Sequence, residues 1–225
     1  MKRTTTLGIA VMAVLFFTAC KREESINIDQ NRIYSNYTYE YNADNNRSTM
    51  TAVFRMDNSG GRKIELSYPA RVDFNGEGLA WRGALGSYQL TINGMVNGGR
   101  FNYHDLDDNT YTNEVASLTP TELPFGITSI SQSGNFFLPW DGPALQAGET
   151  IRVRISAGTT RTFSTSIVGA THIILDQNQL AGLTPGSGTI QIERESFSNL
   201  SSSNMSGGRM TTMYKSRRLF INISN

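Results

Sequence analysis

A chain of 225 residues with 20 Lys and Arg against 19 Asp and Glu has almost no net charge, so no basic field draws in nucleic acid and no acidic tail offers a polyelectrolyte partner. A single cysteine excludes an internal disulfide. Low charge, 21 Gly, only 6 Pro and frequent Ser, Thr and Asn describe a folded β-rich protein rather than a disordered one.

The first stretch sets the context. Lys2 and Arg3 open the chain, Leu7 to Phe17 is apolar without interruption, and Thr18 and Ala19 lead to Cys20. This is the layout of a secretory signal, and the apolar run is too short for a membrane-crossing helix, which needs about 20 residues. Phe17-Thr18-Ala19-Cys20 resembles the lipobox of bacterial lipoproteins, with Phe17 where that family most often has leucine. The resemblance implies a signal peptide over 1–19, a covalent lipid on Cys20 and attachment to a membrane through that anchor. Lys21 stands where the inner-membrane retention signal has aspartate, which implies delivery to the outer membrane, lipid-anchored, on its periplasmic or surface side. Lys21-Arg22-Glu23-Glu24 is similar to the lysine-plus-two-acids tag of surface-displayed lipoproteins, and equally to a solvated charged tether.

Cleavage leaves roughly 200 residues, enough for one large or two small β domains. Residues 20–32 read as the lipidated cysteine and a polar tether. From Ile33, apolar and aromatic side chains fall on alternate positions through Tyr37, Tyr39 and Tyr41, and again through Met50, Ala52, Phe54 and Met56. Shorter strands are expected over 63–67, 70–74, 87–93, 99–104 and 111–115. Asn75-Gly76, Asn93-Gly94 and Asn97-Gly98-Gly99 supply turns between several of them. Pro120 and Pro124 break the rhythm, so 118–125 is expected to be a linker between an N-terminal sandwich, 33–117, and a C-terminal sandwich, 126–225. In the second set Ile151, Val153 and Ile155 alternate with Arg152 and Arg154, and Ser196 to Gly208 reads as a long mobile loop. The strand rhythm resembles that of bacterial immunoglobulin-like domains. The resulting fold class is all-β, two immunoglobulin-like antiparallel β-sandwich domains after a lipoprotein signal peptide.

For chemistry the sequence offers no G-x-S-x-G, S-x-x-K, H-E-x-x-H or phosphate-binding glycine loop, and its two histidines, His104 and His172, stand in no known motif. No catalytic residue is assigned. Asp105, Asp107, Asp108, Asn109 and Glu114 are a candidate calcium set, because calcium takes six to eight oxygens. They also suit a solvated hairpin tip, and Thr110 and Ala116 break the EF-hand spacing. Trp81 and Trp140, each beside a charged residue, are candidate ligand-binding positions, since an exposed indole stacks on a sugar or anchors a protein; capping of a core is the other reading. The expected function is a non-enzymatic binding or adhesion module of the cell envelope, with an envelope protein or a glycan as partner and no cofactor beyond the lipid on Cys20. A structural subunit of an outer-membrane assembly, and a glycan hydrolase or glycan-binding accessory protein, are the alternatives.

Overall fold

The computed structural model describes residues 22–225; the signal peptide expected over 1–19 and Cys20 lie outside the described residues. The first half contains β1 (Glu23–Glu24), β2 (Ile33–Asn42), β3 (Arg47–Met56), β4 (Lys63–Glu65), β5 (Arg71–Phe74), β6 (Glu77–Gly78), β7 (Ala80–Arg82), β8 (Ser87–Asn93), β9 (Gly99–His104) and β10 (Thr110–Val115). The second contains β11 (Ser129–Ser131), β12 (Phe136–Pro139), β13 (Glu149–Ala157), β14 (Thr159–Thr165), β15 (His172–Leu175), the short helix α1 (Gln177–Leu180), β16 (Gly186–Asn199), β17 (Gly208–Lys215) and β18 (Leu219–Ser224). The fold is all-β, as the alternation required.

Two apolar cores sit on one continuous sheet. The first sandwich packs β2 and β3 against a small sheet ordered β10-β9-β5-β6. Along β2 the buried residues are Ile33, Ser35, Tyr37 and Tyr39, and along β3 they are Ser48, Met50, Ala52 and Phe54, so each strand gives one face to the core. Tyr37 stacks on Phe101 of β9 with ring centroids 4.7 Å apart, and Phe54 meets Tyr103 at 4.6 Å. The second core gathers Ile151, Val153 and Ile155 of β13, Ile190 and Ile192 of β16, Leu138, Ile173, Leu175 and Leu180.

The halves are joined by β17, which pairs antiparallel with β16 and parallel with β2, so one sheet runs β1-β4-β3-β2-β17-β16-β13-β14. The sheet is therefore mixed, with further parallel pairs at β1–β4 and β11–β18. Met210 of β17 is buried in the first core and Leu200 packs against it, so residues 200–215 complete the N-terminal sandwich although they lie inside the expected 126–225 unit. The parallel pairing needs a close approach. A Cβ on Gly208 would stand 2.3 Å from the Ser35 carbonyl oxygen, a backbone atom that cannot turn aside. Gly208→Val is expected to cost about 2 kcal/mol through overpacking, read as a lower urea midpoint with an unchanged slope.

Three expectations about segments are corrected. Residues 118–125 are not a free linker: Thr121 is fully buried, Leu123 lies in the second core, and Glu122 exchanges backbone hydrogen bonds with Asp141 at 2.9 Å. The prolines hold the backbone extended, and an extended strap with alternate side chains inward packs as a strand does. The tether ends earlier than residue 32, because Ser25 is fully buried and its hydroxyl accepts from the Ser67 amide at 2.8 Å, while the Gln30 amide donates to the Ser25 and Ile28 carbonyls. The loop expected over 196–208 is neither long nor loose. β16 continues to Asn199, and the Asn204 side chain donates to the carbonyls of Gln30 and Ile33 at 2.6 and 2.7 Å. Polar residues there cap backbone that the seam leaves without strand partners.

Candidate binding face

The inner side of the long sheet is spent on the two cores, and its outer side carries the polar half of each alternation. Parity places Tyr34, Asn36 and Thr38 of β2 on this outer side, beside Arg209, Thr211 and Met213 of β17. Glu195 and Phe197 of β16 follow, opposite Met213 and Thr211, and Arg152 of β13 completes the row. A groove of about 410 Å³ runs over this surface, lined by Tyr34, Thr38, Arg152, Glu195, Phe197 and Arg209 among others. It crosses the seam, so it exists only because β17 joins the halves.

Its chemistry is mixed and preorganised. The Arg209 guanidinium lies 3.8 Å from the centroid of the Phe197 ring, a cation–π contact that holds its planar set of donors flat on the sheet. Glu195 is buried and its Oε2 is engaged by the Arg152 guanidinium in an ion pair, which fixes both side chains on the groove floor. At one edge Lys215 Nζ pairs with Glu40 at 2.9 Å. Cations and carboxylates are thus interleaved, and no single sign dominates. Hydroxyls from Thr38 and Thr211, an acceptor at Glu195, a donor fork at Arg209 and the aromatic ring of Tyr34 suit a neutral, hydroxyl-rich ligand better than a polyanion.

The residues singled out from sequence are elsewhere. Trp140 is 5% exposed, belongs to the second core and donates its indole N–H to the Pro143 carbonyl at 3.2 Å. Trp81 is half-buried on β7, packed on Tyr88 with centroids 4.8 Å apart and covered by the Arg22 guanidinium at 5.6 Å. Neither presents a free ring face. Asp105 is 3% exposed, and its carboxylate accepts from the amides of Asp107 and Asn109 and from the Asn109 side chain at 2.9 to 3.0 Å. Its oxygens are engaged by their own turn, Asp107, Asp108 and Glu114 point to solvent, and no group of three acidic, His or Cys side chains is close enough to hold a metal among the described residues. His104 Nδ1 lies 2.9 Å from the hydroxyl of Thr110, its partner across β9 and β10, while its Nε2 is 3.7 Å from Asp73, beyond hydrogen-bond reach; Asp73 sits diagonally on β5, opposite Asn102. His172 is exposed beside Phe137. Cys20 lies outside the described residues.

Arg209, Glu195 and Arg152 escaped the sequence reading because each is an ordinary polar position of an alternating strand. Only the register of β13, β16 and β17 brings them together.

No family model matches the chain, and the curated proteins contain no match to it. Among solved structures, a tetra-tandem repeat in the extending region of a large adhesion protein is similar at 11% identity and a TM-score of 0.28, over 84% of this chain and 49% of that one. This chain therefore spans about half the length of that structure. A structure concerned with host cell surface retention of a 1.5-MDa bacterial ice-binding adhesin is similar at 13% identity and a TM-score of 0.23, over 88% of this chain and 67% of the other. These weak structural neighbours are adhesin domains, and scores this low do not establish a shared fold.

Proposed function

We propose that this chain is a lipid-anchored, non-enzymatic binding module of a bacterial cell envelope, and that the outer face of its central sheet recognises a neutral hydroxyl-rich ligand, a glycan of a cell or matrix surface. The lipobox-like Phe17-Thr18-Ala19-Cys20 supports the anchor. The observation that carries the binding role is the groove across the β2-β17 seam, with Arg209 held on Phe197 and the Arg152–Glu195 ion pair in its lining.

The test is a glycan array probed with the soluble chain from Lys21, which contains both cores entire. Arg209 is exposed, so Arg209→Ala should leave the melting temperature nearly unchanged while weakening glycan binding roughly tenfold, the loss of about one charge-assisted contact. Glu195→Gln should act in the same direction. Binding that survives both substitutions would remove the groove from the reading.

A specific feature favours a second reading, assembly with an envelope protein. Phe137 and Ile174 are cross-strand partners 62% and 49% exposed, and Ile167 and Val168 nearby are 72% and 63% exposed. Together they give the second sandwich an apolar patch. Phe137→Glu would abolish a stoichiometric crosslink in intact cells if this patch is the contact, and would leave glycan binding unaltered.

A further inference from the structure

A cleft lies at the end of the first sandwich where the described chain begins, at Arg22. It has a volume of about 520 Å³ and is lined by Arg22, Arg55, Arg62 and Lys63, with Leu85 at its rim. Arg62 is neutralised by Glu23. The other three have no carboxylate partner among the described residues: Arg22 donates to the Gly83 carbonyl, Arg55 to the Gly61 carbonyl at 2.9 Å, and Lys63 to the Leu85 carbonyl. Carbonyl partners orient a cation without cancelling its charge, so three positive charges line one cleft with no carboxylate in ion-pair contact among the described residues. The Arg55 Nε–H is in addition buried without any acceptor.

The place of this cleft follows from covalent geometry. Arg22 is two residues from Cys20, and two residues span at most about 7 Å. Because β1 and the turn at Ser25–Asn27 are already part of the fold, no slack chain separates the anchor from the body. An acylated Cys20 would hold the cleft at the level of the lipid headgroups. An exposed apolar side chain lies in the same lining: Leu85 is 55% exposed. A cationic cleft with an exposed leucine in its lining matches a bilayer interface, where phosphates lie beside acyl chains.

We infer that the cleft formed by Arg22, Arg55 and Lys63 receives the phosphate of an anionic membrane lipid and docks this end of the first sandwich flat on the bilayer that carries the anchor. This rests on the anchored reading given above. It has a consequence for that reading: docking fixes the tilt of the sheet and so the height at which the binding groove is displayed.

The soluble chain from Lys21, which has no Cys20, separates the two ideas. Mixed with vesicles of phosphatidylcholine alone, or of phosphatidylcholine with phosphatidylglycerol, it should sediment with the second and much less with the first. Each basic residue near an anionic surface contributes about a fivefold gain, so Arg22→Gln with Lys63→Gln should reduce sedimentation at least tenfold. Arg71→Gln with Arg100→Gln, an equal loss of charge on β5 and β9, should change it little. Arg55→Gln is read only with its melting temperature, since Arg55 is partly buried, and Arg22→Gln with Lys63→Gln decides the matter if it unfolds. Equal sedimentation with both vesicle types, or equal loss in the control pair, would overturn the docking. So would release by inorganic phosphate at constant ionic strength, which would assign the cleft to a free anion. Failure of the anchor reads differently: the full chain would take up no labelled palmitate, whatever the fragment does.

Discussion

Arg194→Ala is expected to lower the unfolding free energy by about 3 to 5 kcal/mol, the cost of breaking a buried ion pair by removing one partner, and the melting temperature by roughly 10 °C in a chain of this size. The Arg194 side chain is 3% exposed and pairs with Glu149, itself 11% exposed. It also donates to the carbonyls of Pro143 and Ala144 at 2.8 and 3.1 Å, and its Nη1 lies 3.4 Å from the Thr121 hydroxyl. One guanidinium thus fastens the 118–125 strap, the 143–145 turn and the start of β13 to β16. Truncation leaves a carboxylate and two carbonyls short of a donor in a site with little water. Arg194→Met with Glu149→Met should recover only part of the loss, because the carbonyls still lack a donor. A melting temperature within a degree of the wild type for Arg194→Ala would mean that packing alone holds the strap.

The same pair sets an acid limit. Burial pushes the Glu149 carboxyl up, but the Arg194 hydrogen bond, the Gln146 amide and the Arg194 charge together outweigh it, so the group is held below its ordinary value of 4.5. A carboxyl depressed in the folded state contributes stability that is fully present above pH 4.5 and lost as the pH falls through the depressed value. Arg194→Ala should therefore flatten the acid side of the stability curve as well as lower it. Urea midpoints across that range measure both effects.

What the sequence made legible was local. β2 and β3 announce themselves by side chains of period two, and the Asn-Gly turns mark where strands end, because both signals depend on neighbours a few residues apart. The seam did not announce itself. β17 and β2 pair across more than 160 residues of chain, with Gly208 opposite Ser35, and a strand's own alternation says nothing of its partner. Gly207-Gly208 read as loop material when Gly208 is there to let two backbones meet. Asn204 and Gln30 read as solvated because polar residues usually are, whereas here they supply hydrogen bonds to backbone that no strand satisfies. Trp140 follows the core-capping reading of its sequence: flanking Pro139, Asp141 and Gly142 leave a surface turn open as well, and the ring joins the core cluster that includes Leu138 and Leu145. The groove needed β13, β16, β17 and β2 in register at once, information that no single window of sequence contains.

Cys20→Ser should transfer the protein from the membrane to the soluble fraction and abolish palmitate incorporation, the larger of the two effects in functional terms. Acyl burial contributes about 0.8 kcal/mol per CH₂, so one chain holds a protein only reversibly while two or more hold it stably. Serine at this position forms no thioether, and the loss is complete rather than graded. The variant is also informative for what it leaves behind. If Arg22, Arg55 and Lys63 dock on anionic lipid, a minor share of Cys20→Ser protein stays with membranes at low salt and leaves in high salt, because interactions between partly exposed charges are screened within about 10 Å at 0.1 M. Residual binding that resists salt would instead point to apolar insertion of Leu85. An unchanged membrane fraction, with no label on the wild type, would remove the anchor itself, and with it the reason for this end of the sandwich to face a bilayer.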